Sequence, residues 1–122
     1  MQGLHLVAEL HRCAAQPLLR EAGALRALCL QAVADAGLTP VGDLFHHFGA
    51  GGGVTGVVLL AESHVAVHTW PELAAVTLDV YVCNLLSDNS ARAERLVAAL
   101  EQAFAPQHVQ AQRLQRGSLA TS

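Results

Sequence analysis

At 122 residues, 52% hydrophobic and 14% charged with a net charge of −3, the chain has the material for one domain spanning residues 1–122. It lacks the basic footprint that nucleic acid demands and any apolar run of the roughly 18 residues a membrane span needs. All seven basic residues are arginine, which closes two routes at once: the lysine Schiff base that holds pyridoxal phosphate and the Gly-Lys-Ser/Thr phosphate loop.

The opening Met1-Gln2-Gly3-Leu4-His5 has no basic secretory start, and Leu4 to Leu10 reads as a first strand. Pro17 suits the first turn of a helix. Leu18, Ala22, Leu25, Cys29, Ala32 and Ala36 follow at helical steps, and Gly37 ends it. Val41 to Phe48 is the next strand, and Gly49-Ala50-Gly51-Gly52-Gly53 a flexible turn. Val54 to Ala61 and Val65 to Thr69 are apolar, β-branched runs, with Glu62-Ser63-His64 as a tight connection between them. Pro71 closes the second run, and Val76 to Cys83 is a strand whose only charge is Asp79. Ser87-Asp88-Asn89-Ser90 supplies caps for a second helix, in which Ala93, Leu96, Val97, Leu100 and Phe104 share one face. Pro106 stops it, His108 to Leu114 reads as a final strand, and the tail from Gly117 as loose.

The order β-α-β-β followed by β-β-α-β points to two similar halves, pseudo-repeated β-α-β-β units, meeting near Ser63. The expected fold class is α+β: a two-layer α/β sandwich, mainly antiparallel, with helices on one face. Three widely spaced cysteines, Cys13, Cys29 and Cys83, fit a reduced cytoplasmic protein better than a disulfide scaffold. The apolar excess points to surface covered by a second copy, hence a homo-oligomer.

Polar and ionisable residues concentrate between Leu60 and Glu72, inside an otherwise apolar stretch. Burying several such groups is costly unless they are paired or used, although each taken alone reads as a solvated edge or a hydrogen-bonded histidine. Three chemistries are open to the cluster. His64 and His68 as metal ligands, with Cys83, are disfavoured because four strand steps span about 13 Å. Ser63 with a histidine as a hydrolase pair lacks the Gly-x-Ser-x-Gly elbow. In the third, Ser63 attacks the carbonyl of Glu62. An N-to-O acyl shift gives an ester, and β-elimination leaves a dehydroalanine that hydrolyses to a pyruvoyl group. That chemistry needs a strained, ordered turn, a base and an oxyanion donor.

Glu62-Ser63-His64, then His68-Thr69-Trp70-Pro71-Glu72, then Asp79 and Cys83 closely resemble the short prokaryotic S-adenosylmethionine decarboxylases. Gly3 to Glu9, Phe45-His46-His47-Phe48 and Gly53 to Val58 resemble other parts of the same pattern. The resemblance implies self-cleavage into a β chain, 1–62, and an α chain, 63–122, with Ser63 becoming the pyruvoyl group that forms a Schiff base with the substrate amine. It implies His68 as the processing base supported by Thr55, Cys83 as proton donor, and Glu72, Trp70 and Phe48 near the substrate. It also implies a small-molecule substrate, no metal, an α/β sandwich that dimerises with its sites near the dimer interface, and decarboxylated S-adenosylmethionine as the aminopropyl donor for spermidine synthesis. The plain structural alternatives are a buried strand cysteine at Cys83, core aromatics at Phe45 and Phe48, a core or interface anchor at Trp70, and an ordinary strand threonine at Thr55.

The chain departs from the family pattern where Leu73-Ala74-Ala75 replace Tyr-Gly-Tyr, where Asn84 replaces glycine, and where the loop after Phe48 has gained glycines. These places surround the expected substrate site. The missing Tyr-Gly-Tyr motivates one rival, a pyruvoyl-dependent decarboxylase of arginine or ornithine. A rival of another class is a non-catalytic regulatory homologue, against which the joint retention of Ser63, His68 and Cys83 weighs.

Overall fold

The computed structural model describes residues 2–14, 17–84 and 87–117. Six strands, β1 (Gly3–His11), β2 (Pro40–His47), β3 (Val54–Leu60), β4 (Ser63–Trp70), β5 (Ala75–Cys83) and β6 (His108–Arg116), form one sheet in the order β2-β3-β4-β5-β1-β6. Every neighbouring pair is antiparallel. Helices α1 (Ala22–Asp35) and α2 (Ser90–Phe104) pack on one face. The chain order, β-α-β-β then β-β-α-β, is the one read from the sequence, and the two halves join at the β3–β4 turn. In the sheet they interleave, because β1 inserts between β5 and β6 of the second half.

Period-two alternation explains which side is core. Leu4, Ala8 and Leu10 of β1, Val54, Val58 and Leu60 of β3, Val65 and Val67 of β4, and Val76, Leu78, Val80 and Val82 of β5 are buried under the helices. They meet Leu25, Cys29, Ala32 and Val33 of α1 and Ala93, Leu96, Leu100 and Phe104 of α2. No element among the described residues lies on the opposite face, which we term the open face.

Three details differ from the sequence reading. The first helix does not run through from Pro17: a 3₁₀ turn at Pro17–Leu19 is separated from α1 by an extended Glu21. The Leu19 carbonyl, which would accept the next helical bond, instead accepts from Thr69 Oγ at 2.9 Å. The connection at Glu62-Ser63-His64 is shorter than expected: only Ala61 and Glu62 turn, while Ser63 and His64 already pair with Leu60 and Leu59. The last strand extends two residues further, to Arg116. Gly37 ends the first helix as anticipated, at φ 84°. The amides of Gly37 and Leu38 donate to the carbonyls of Ala34 and Val33, a Schellman closure. Of the tail, residues 118–122 lie outside the described residues.

Candidate active site

Strand register converts the open face into a grid, since paired residues point the same way. One row reads Leu59, His64, Tyr81, His5 and Leu114 across β3, β4, β5, β1 and β6. Two rows along, Thr55, His68, Thr77, Glu9 and Gln110 stand side by side. Candidate residues fall into two groups at opposite ends of the sheet, with Ser63 paired to Leu60 and so in the helix-side register rather than in this grid.

At the first end, the turn that carries the chain from β3 to β4 puts Glu62 at φ 59°. Left-handed backbone is disfavoured for a residue with a Cβ, by roughly 1–2 kcal/mol. The strained residue is therefore the one immediately before the expected scissile bond. Ser63 Oγ accepts a hydrogen bond from the Cys83 amide at 3.1 Å, which ties the two candidates together although twenty residues separate them. Cys83 itself is buried, at the end of β5 beside Gly3. The other two cysteines sit elsewhere: burial pushes the Cys29 thiol up to about 12 and raises that of Cys13.

At the second end, Thr55 Oγ lies 3.1 Å from His68 Nδ1. The His68 ring stacks on Trp70 at 5.9 Å between centroids and 27° between planes. With Phe48 and Glu72 these residues line a recess of about 350 Å³ beside the glycine-rich turn. Gly53 has a packing reason to be glycine, because a Cβ there would stand 1.9 Å from the Thr69 carbonyl oxygen. Phe45 and Phe48 part company. Phe45 lies on Gly56 at the helix side, as a core aromatic, whereas Phe48 is 64% exposed and makes an edge contact with His46. The core alternative therefore holds for Phe45 and fails for Phe48.

The structure does not bring the two ends together within one chain. Ser63 and His68 are five steps apart on β4, about 17 Å at strand rise. His64 and His68 likewise stand four steps apart on one strand. Among the described residues no group of three or more His, Cys, Asp or Glu could hold a metal ion.

Between the ends lies a shallow trough of about 520 Å³ floored by Val7, Thr77 and Asp79. Beside it is a network that sequence reasoning did not find. His5 Nε2 is 3.1 Å from Asp79 Oδ1, Arg116 Nη1 donates to His5 Nδ1 at 3.0 Å, and the Arg116 guanidinium lies 5.4 Å from the centre of the Tyr81 ring. Gly3 gives Tyr81 its space, since a Cβ there would meet the phenol oxygen at 2.5 Å. Only the register of β1, β5 and β6 places these residues together, and that register is invisible without the sheet order.

Residues 4–117 match the family model described as S-adenosylmethionine decarboxylase. The chain is 35% identical over 115 residues to an S-adenosylmethionine decarboxylase proenzyme of Archaeoglobus fulgidus, covering 94% of this chain and 97% of that one. It is 38% identical over 111 residues to the proenzyme of Pyrobaculum islandicum, covering 89% and 83%. The crystal structure of the adenosylmethionine decarboxylase from Aquifex aeolicus superposes with a TM-score of 0.87 at 33% identity, covering 98% of this chain and 94% of that one.

Proposed function

The chain belongs to the S-adenosylmethionine decarboxylase family, and from that premise we propose how its own residues mature it and carry the reaction. It is a carboxy-lyase acting on S-adenosylmethionine, made as a proenzyme. Cleavage falls between Glu62 and Ser63, giving chains 1–62 and 63–122 of a single domain. The observation that carries this reading is the serine hydroxyl held by the Cys83 amide directly behind a left-handed Glu62.

Ser63 Oγ attacks the Glu62 carbonyl carbon, the peptide C–N bond breaks, and the new ester frees the amine of residue 63. A base then takes the α-proton of residue 63. The Cβ–Oγ bond breaks, so Oγ departs as one oxygen of the Glu62 carboxylate. Water replaces the nitrogen, which leaves as ammonia. The pyruvoyl group so formed supplies an electron-withdrawing carbonyl that condenses with the substrate amine and accepts the electrons released with CO2. Cys83 returns a proton to the substrate α-carbon. Glu72 accepts from ribose hydroxyls, and Trp70 and Phe48 offer flat apolar surface to the adenosine. The decarboxylated sulfonium is the aminopropyl donor for spermidine synthesis.

His68 is the processing base, and Thr55 orients its ring. The role requires the tautomer in which His68 Nδ1–H donates to Thr55 and Nε2 keeps a lone pair. At about 17 Å from its own Ser63, the ring serves the Ser63 of a second copy. A homodimer that packs open face on open face about a two-fold axis sets the first end of each protomer over the second end of the other. Leu44, Leu59, Trp70 and Leu114, exposed on that face, give such a contact apolar area. None of the described helices is long and apolar enough to cross a membrane. Three free cysteines suit a reducing cytoplasm.

The test is CO2 release from S-adenosylmethionine, arginine and ornithine side by side, with intact mass spectrometry on the same preparation. Release from S-adenosylmethionine by a protein split into residues 1–62 and 63–122, and a Ser63→Ala variant left whole at 12.8 kDa, are the expected results. Release from arginine or ornithine alone would overturn the substrate. Turnover by an uncut chain would overturn the cofactor.

A further inference from the structure

The inference rests on the reading above, in which Cys83 gives the substrate its proton. Asn89 is the N-cap of α2, where an asparagine side chain ordinarily accepts from an amide of the first turn, at about 1 kcal/mol of helix stability. It makes no such bond. Asp88 stands in, its Oδ1 accepting from the Ser90 amide at 2.9 Å. The Asn89 side chain turns the other way: Nδ2 donates to the Cys83 carbonyl oxygen at 3.0 Å and Oδ1 accepts from Arg92 Nη1 at 2.7 Å. An arginine can only donate, so Arg92 fixes which end of the amide is oxygen and leaves the nitrogen to face Cys83.

Asn84, the residue that stands where the family pattern has glycine, completes the clamp. Its Oδ1 accepts from the Asn89 amide at 2.8 Å, its Nδ2 donates to Ser90 Oγ at 3.2 Å, and its own amide donates to the Gln2 carbonyl at 2.8 Å. Before self-cleavage Cys83 is therefore gripped from both sides, by Ser63 Oγ at its amide and by Asn89 at its carbonyl. Elimination carries Oγ away with the Glu62 carboxylate. One grip is lost at the step that turns Cys83 into a working acid, and the Asn89 grip persists.

We propose that Asn89, locked by Arg92 and Asn84, is a positioning residue that aims Cys83 at the substrate α-carbon in the mature enzyme. Its effect is on where a proton lands. When the proton reaches the substrate carbon, product leaves and the enzyme survives. When it reaches the carbon of residue 63 instead, water cleaves the C=N bond on the substrate side, the nitrogen stays on residue 63, the substrate leaves as an aldehyde, and residue 63 is left as alanine.

Two variants test this, Asn89→Asp and Asn89→Ser, both good caps and neither able to reproduce the bond to Cys83: the aspartate carboxylate has no proton to donate, and the serine hydroxyl stops one bond short of the place Nδ2 takes. The readout is the number of turnovers completed before the 63–122 fragment ends in alanine, from CO2 release set against fragment mass. That ratio does not move with loss of folded protein. We expect normal self-cleavage, little change in KM, and about tenfold fewer turnovers per inactivation in both variants. A wild-type ratio in both variants overturns the proposal. So does failure of either to cleave or fold, which would make Asn89 a folding element. Wild-type protein that releases no CO2 from S-adenosylmethionine fails the underlying reading first, in an arm that contains no variant, and the proposal falls with it.

Discussion

Two inactive variants should restore each other when they share a dimer. Ser63→Ala removes the residue that is cut, and His68→Ala the base that drives elimination, so each alone should remain whole. Five strand steps put Ser63 about 17 Å from its own His68, several times the reach of a proton transfer. Side-chain motion does not close that gap, because both residues are fixed in the β3–β4–β5 ladder. If the site is built across two chains, a mixed dimer has one complete set: Ser63 from the His68→Ala chain and His68 from the other. Random pairing on co-expression makes about half of all dimers mixed, so about half of the Ser63-bearing chains should be cut. Intact mass spectrometry identifies them, because the released 63–122 fragment must carry alanine at position 68. No fragment in the mixture, with wild type cleaving normally under the same conditions, would refute the shared site. Rapid maturation of His68→Ala on its own would remove His68 from the chemistry.

Cys83→Ala should mature normally, yet turn over about two to four orders of magnitude more slowly and inactivate as residue 63 becomes alanine; sustained wild-type turnover would return Cys83 to a buried strand residue. Ala74 sits at φ 50° and ψ 39°, where the family pattern has glycine. Ala74→Gly should therefore stabilise the protein by about 0.5–1 kcal/mol, net of the extra freedom of the unfolded chain, and raise Tm by about 3 °C; an unchanged or lower melting temperature would contradict the strain. Burial raises the Glu101 carboxyl above its ordinary range. A raised folded value contributes stability at low pH that is lost as pH rises through it. Glu101→Gln should accordingly match wild type at about pH 4 and melt higher than it at about pH 7; a difference that does not grow with pH would sink that assignment.

The fold was legible wherever one face of an element is apolar. The runs at residues 54–60 and 76–82 alternate buried residues with half-buried or exposed ones, which reads as strand from either end. The final strand was harder, because all of His108 to Arg116 is exposed at the sheet edge and its glutamines and arginines carry no period-two apolar signal. Phe45 and Phe48 look alike in sequence and differ because one is inside β2, over Gly56, and the other lies just past its end. For the site, residue types left three chemistries open, and the resemblance carried by Glu62-Ser63-His64, His68 to Glu72 and Cys83 singled out Ser63, His68 and Cys83. They could not say that Ser63 touches Cys83 while His68 is far from both, since that depends on which strands are neighbours and in what register. Asn89 was legible only as a cap, the commonest use of that residue in that place, and its turn toward Cys83 becomes visible only with Arg92 and Asn84 in position.

The open face shows how a short chain can cover such a site without stranding charge. Burying a charged group is costly unless it is already paired, and the proposed dimer covers Arg116, His5 and Asp79. Arg116 cannot accept a proton or a hydrogen bond, so its contact with His5 Nδ1 requires that nitrogen to be unprotonated. The remaining ring proton is then on Nε2, which faces Asp79. Cation, neutral imidazole and carboxylate form one chain of hydrogen bonds with its net charge cancelled inside the protomer. A second copy that covers this network need not supply counter-charges to it. It needs only shape and apolar area, which Leu44, Leu59 and Leu114 offer in the same grid. His68 with Thr55 faces outward on the same grid without such a closed chain, and it is the pair for which the processing role is proposed. Packing two copies face to face lets each half-site finish the other.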